Sequence, residues 1–215
     1  MNGKIIAAKL LKIKEGISGV ENNLEIQEKL NTFGYTHERI NEGRMLLDRV
    51  TGLMTAQVKE YSEQYSASDE FGKLWKKTYG NYMVTLKVIR VAFTGEMDML
   101  QRFNAIGRRN RSLSGWLRDS KILYTNVLNS PETIEVLARY GYTLEKLNRE
   151  FQDVSEVERL HSKQLSEMGT AQQSTVERDD AFDSLCKWYS KFRAIARIAL
   201  FDKPQLLEAL GIVKK

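Results

Sequence analysis

Cysteine is nearly missing from this chain. Cys186 is the single one in 215 residues, so no internal disulfide can form and a reducing, cytoplasmic setting is expected. Proline is also scarce. The two present, Pro131 and Pro204, both stand where helices are expected to begin, so neither interrupts a helical pattern. There are only two histidines, His37 and His161. No glycine-rich phosphate loop, paired-cysteine motif or nucleophile elbow appears, which removes the usual sequence grounds for nucleotide chemistry, thiol redox chemistry and serine hydrolysis. No segment alternates apolar and polar residues strictly enough for a half-buried strand. No apolar run is long enough for a membrane span, and the stretch from Ile5 to Lys12 is too short and too rich in lysine for a secretory core.

What the chain does have is a statement made twice. Phe33-Gly34-Tyr35-Thr36-His37-Glu38-Arg39-Ile40-Asn41 returns as Tyr140-Gly141-Tyr142-Thr143-Leu144-Glu145-Lys146-Leu147-Asn148, with five of nine positions identical. The step from Phe33 to Tyr140 is half the length of the 215-residue chain, as a duplicated unit requires. The repeated segment reads as a joint between helices. Gly34 and Gly141 suit the left-handed position that ends a helix. Thr36 and Thr143 then cap the next helix, Glu38 and Glu145 face its dipole, and Tyr35–Ile40 and Tyr142–Leu147 have the spacing of a hydrophobic staple. In the same register, the cap and acid of Asn23-Leu24-Glu25 return as Ser130-Pro131-Glu132.

Composition agrees with an all-α fold: 42% hydrophobic and 28% charged residues give a globular balance. Ile40, Leu47, Val50, Met54, Val58 and Tyr61 form one helical stripe, and Phe71, Leu74, Thr78, Tyr82, Leu86, Ile89 and Phe93 the next. Leu147, Phe151, Val154, Val157, His161, Leu165 and Met168 begin the second pair, which Phe182, Leu185, Tyr189, Phe192, Ile195 and Ala199 complete. Polar segments at 63–69 and 169–175 read as the turns of two helical hairpins. The expected fold is therefore an antiparallel four-helix-bundle-like architecture built from two duplicated helical-hairpin units, with extra short helices. As a domain, residues 1–215 read as one compact body made of two internal repeats, about 1–107 and 108–215. The amphipathic segment with Ile6, Leu10, Ile13 and Ile17 is expected to pack on that bundle rather than on a membrane surface.

Few residues suggest chemistry. Glu158 and His161 have the Glu-x-x-His spacing that di-metal helical bundles use, but the corresponding positions of the first repeat are Thr51 and Met54, which cannot supply the second half of a ligand set. Arg108, Arg109 and Arg111 cluster between the repeats. They offer phosphate contacts to a nucleic acid, or cations at a helix C-terminus; the absence of any recognition module favours the second. Trp75, Tyr79 and Trp188 lie beside the core stripes and are candidates for an oligomer interface. The sequence thus predicts a non-catalytic interaction or structural module without a cofactor, acting as a homo-oligomer or with a partner protein. A metal- or ligand-binding bundle around Glu158 and His161 is the alternative, and a nucleic-acid-associated protein the next.

Overall fold

The joints explain the architecture, because they recur at one spacing. The computed structural model describes residues 3–212, and every regular element among them is helical. In order these are α1 (Gly3–Glu21), α2 (Leu24–Asn31), α3 (His37–Ala92), α4 (Met97–Arg102), α5 (Leu113–Leu128), α6 (Pro131–Ala138), α7 (Leu144–Ala199) and a closing 3₁₀ helix, Pro204–Leu210. Both bounds of α2 and α3 reappear, at the offset of the repeat, as those of α6 and α7.

The caps are those expected. The side chains of Asn23 and Ser130 accept the backbone N–H of Ile26 and Thr133, and Thr36 and Thr143 accept those of Arg39 and Lys146. Gly34 and Gly141 sit at φ 78° and 79°. At each, the following tyrosine N–H reaches back to a leucine carbonyl, Tyr35 to Leu30 and Tyr142 to Leu137. That is a Schellman stop, which needs the left-handed residue glycine supplies without a Cβ penalty. The structure adds a second pair of stops. Asn104 at φ 49° ends α4, and its repeat-related partner Gly211, at φ 64°, ends the 3₁₀ helix.

The expected turns at 63–69 and 169–175 are not turns. Both segments are helical throughout, inside the 56-residue helices α3 and α7. Their polar residues serve helix pairing instead. Gln57 Nε2 donates to Thr175 Oγ1 at 2.8 Å. The repeat-related positions form the same bond, Gln164 Nε2 to Ser68 Oγ at 3.2 Å. Small residues in these stretches, Ala67 and Ala171, are buried.

The chain divides into two compact units, one of residues 1–62 and 169–215 and the other of residues 63–168. The divisions fall at the expected turns and not at the boundary between the repeats. Each unit therefore draws elements from both repeats. The first unit holds α1, α2, the start of α3, the end of α7 and the 3₁₀ helix. In it, the segments of α3 and α7 run antiparallel, as the Gly43–Trp188 and Gln57–Thr175 contacts require. Ile6, Ile13 and Ile17 of α1 are wholly buried in its core, each worth about 2 kcal/mol of apolar transfer. The amphipathic N-terminal face is thus used for packing.

The second unit holds the end of α3, α4, α5, α6 and the start of α7. Its long-helix segments are antiparallel too, as Thr85–Glu150 and Gln164–Ser68 contacts show. Trp116, Leu123 and Tyr124 of α5 are fully buried against them. Two apolar stripes end earlier than the periodicity suggests: Val58 is 71% exposed and Leu165 55%. No helix among the described residues is long and apolar enough to cross a membrane.

Candidate functional site

Repeat-related positions mostly do the same work, so the places where they differ stand out. In the first unit, Trp188 of α7 lies over Gly43 of α3. It stacks on Phe192, with ring centroids 5.4 Å apart and planes at 5°, and meets Tyr35 edge-on at 6.2 Å. A Cβ on residue 43 would come within 2.2 Å of the indole. The glycine is there because the ring occupies that space.

In the second unit the related positions are polar. Gly43 corresponds to Glu150, Trp188 to Asn81, Phe192 to Thr85 and Ile17 to Tyr124. Glu150 is 7% exposed. Its Oε2 accepts the hydroxyls of Thr85 at 2.6 Å and Tyr124 at 2.9 Å, both from fully buried residues. Burial, with the adjacent Glu150 carboxylate second, pushes the Tyr124 phenol far above its ordinary range, so it stays protonated and donates. Two neutral hydroxyls hold the carboxylate but do not neutralise it, and a buried charge costs several kcal/mol unless paired.

Glu150 also lines a groove of about 390 Å³ with Lys77, Asn81, Lys146, Arg149 and Asp153. Lys77/Asn81 on α3 and Lys146/Glu150 on α7 are i, i+4 pairs, so each pair shares a helix face. The cations already have partial partners. Lys77 Nζ is 3.4 Å from Asp153, Lys146 Nζ is 3.5 Å from the Tyr142 ring centroid, and Arg149 is 3.8 Å from Glu145.

A second contrast concerns the face between α1 and α3. In the first unit it is a groove of about 780 Å³ lined mainly by apolar side chains, among them Leu10, Leu11, Leu47, Met54 and Val58, with Lys14 and Asp48 beside them. At the positions related to Lys14 and Thr51, the second unit has Lys121 and Glu158, whose ion pair at 2.7 Å ties α5 to α7. Met54 there becomes His161 and Leu11 becomes Arg118.

The residues singled out from sequence have different fates. The Glu158 carboxylate is engaged by Lys121 Nζ. His161 is half-buried with its ring 5.3 Å from that of Phe71. No set of three ligand-bearing side chains gathers around Glu158 and His161 among the described residues. The arginine cluster is split. Arg109 turns inward, donating to the carbonyls of Asn104 and Ile106 and to Tyr82 Oη, and thereby supports the turn after α4. Arg108 and Arg111 are exposed.

Arg111 does share a groove of about 460 Å³ with Trp75, Lys76 and Tyr79 in the second unit. Trp75 stacks on Phe71 at 5.5 Å. Trp188 belongs to the first unit, where it packs on Gly43. Cys186 is half-buried against the first core, as a small hydrophobe.

The sequence reading missed Glu150. Its signal was available: a glutamate at a core register position, three after Leu147 and four before Val154, opposite a glycine in the other repeat. No family model, curated protein or solved structure matches the chain.

Proposed function

We propose that this protein is a non-catalytic helical scaffold of four-helix-bundle-like architecture, built from two duplicated halves, that self-associates through the α1–α3 face of the first unit. The observation that carries the reading is the apolar groove of Leu10, Leu11, Leu47, Met54 and Val58. The related face of the second unit is crossed by the Lys121–Glu158 pair instead. Exposing the apolar side chains of Leu11 (57%) and Val58 (71%) to water costs free energy, and covering them is favourable.

The occupant is a second copy of this chain. The face carries both signs, Lys14 on α1 and Asp48 on α3, and an isologous two-fold contact needs such self-complementarity: Lys14 of one copy meets Asp48 of the other. An apolar centre with charges at its edge is also how protein interfaces are organised.

Native mass spectrometry and sedimentation of the full chain test this. A dimer of the 24.8 kDa chain is expected, converted to monomer by Leu11→Glu with Val58→Glu while circular dichroism stays unchanged. A wild-type monomer at about 100 μM, well above the working range of a stable interface, would refute it. So would a dimer that ignores the double substitution.

A further inference from the structure

Beyond self-association, the groove over Glu150 has the makings of a ligand site. Three observations converge. The carboxylate is 7% exposed and receives only neutral donors on Oε2. It also lines an open groove, so Oε1 can receive a donor from outside the protein. The remaining lining is of mixed charge, with Lys77, Lys146 and Arg149 against Glu150 and Asp153.

These features restrict the ligand. A buried carboxylate is relieved best by a cation that donates hydrogen bonds. A ligand carrying positive charge alone would meet a groove whose three cationic side chains outnumber its two carboxylates, and that surplus of like charge disfavours it. The occupant must therefore present a cationic donor inward and an anionic group to the rim. Lys146 and Arg149 stand four residues and one residue before Glu150 on α7, so they flank the carboxylate on the helix that carries it.

The related place in the first unit is an internal control. There the volume is filled by the Trp188 indole lying over Gly43, with Phe192 stacked behind it. Packing alone is met by that solution, which uses no buried charge. The second unit gives up the aromatic plug and keeps a carboxylate, two hydroxyl donors and an open groove.

We propose that this groove binds a small zwitterion of the α-amino-acid class. Its ammonium is received by Glu150 Oε1 and Asn81, and its carboxylate by Lys146 and Arg149. Binding of this kind is non-covalent, and no bond is made or broken.

The test is a thermal-shift screen of the full chain against the free α-amino acids, followed by calorimetry on those that respond. At about 10 mM ligand, a site of millimolar affinity raises the melting temperature measurably. At least one free amino acid is expected to do so, while its N-acetyl derivative and its methyl ester do not. Glu150→Gln and, on the exposed rim, Arg149→Leu are each expected to weaken binding at least about tenfold, the scale of one charge-assisted contact.

The double substitution Asn81→Trp with Glu150→Gly copies the plug of the first unit. It is expected to fold and to bind nothing. The proposal is overturned if no free amino acid shifts the melting temperature, or if the shift survives in Arg149→Leu and Glu150→Gln. A response to magnesium or calcium ions in place of amino acids would also overturn it, because it would make Glu150 a metal ligand.

Discussion

The indole of Trp188 lies where a side chain on Gly43 would begin: a Cβ at that position would stand 2.2 Å from Trp188 Cη2. The ring has no easy retreat, since Phe192 stacks on it at 5.4 Å and Tyr35 meets it edge-on at 6.2 Å. Gly43→Ala is therefore expected to destabilise the protein by about 1–3 kcal/mol through overpacking, even though alanine is the better helix former. Chemical denaturation of the two proteins checks the sign. A stabilised variant would show that the indole moves freely.

Gly169 presents the opposite case. It lies inside α7 with nothing near the place of an added Cβ. Gly169→Ala is expected to raise stability by about 0.5–1 kcal/mol, because alanine loses less backbone entropy in a helix. The same experiment discriminates between folds. In a hairpin turn at 169–175 a glycine would serve the bend, and its replacement would not stabilise.

Asp202 makes the stability of the first unit depend on acid. The hydrogen bond from Lys29 Nζ holds its carboxyl below the ordinary range. A carboxylate depressed in the folded state stabilises fully above its unfolded pKa, and that contribution is lost as pH falls through the folded value. The loss is thus expected below about pH 4, near the unfolded aspartate value. Asp202→Asn should lower the melting temperature at neutral pH and leave it unchanged near pH 2, which thermal melts across that range would show. An equal effect at both pH values would assign the role to packing instead.

Arg109 is expected to matter for folding more than for nucleic acid. Its guanidinium donates to the carbonyls of Asn104 and Ile106, next to the left-handed Asn104. Arg109→Ala leaves those carbonyls without their charged donor and is expected to cost about 1.5–3 kcal/mol. Arg108→Ala and Arg111→Ala, at exposed positions, should change stability by no more than about 0.5 kcal/mol. If all three cost the same, the inward turn of Arg109 is not structural. Salt-sensitive binding of RNA or DNA lost in Arg108→Ala and Arg111→Ala would point to the charged surface reading.

Much of the fold could be read from local chemistry. The helix stops at Gly34 and Gly141 and the caps at Asn23, Thr36, Ser130 and Thr143 depend on a few neighbouring residues, so sequence alone locates them. The half-length offset of the repeat and the all-helical class belong with them, as does burial of Ile6, Ile13 and Ile17, whose spacing marks one face of α1. Candidate sites were less legible. Glu158 and His161 have a suggestive spacing, yet what decides their role is Lys121 on another helix and the Phe71 ring.

Tertiary structure alone settled the course of the long helices. Segments 63–69 and 169–175 are polar, and polarity marks a turn and a solvated helix equally well. The choice rests on distant partners, Ser68 with Gln164 and Thr175 with Gln57, which give the polar side chains hydrogen bonds within a helix pair and remove the need to turn. The same holds for Glu150: its burial and its two hydroxyl donors come from α3 and α5, far away in the chain. Capping is a contract between neighbours and is written locally, whereas pairing and burial depend on residues far apart in the chain, as Tyr124 and Thr85 are, 26 and 65 positions from Glu150, and no short window of sequence contains them.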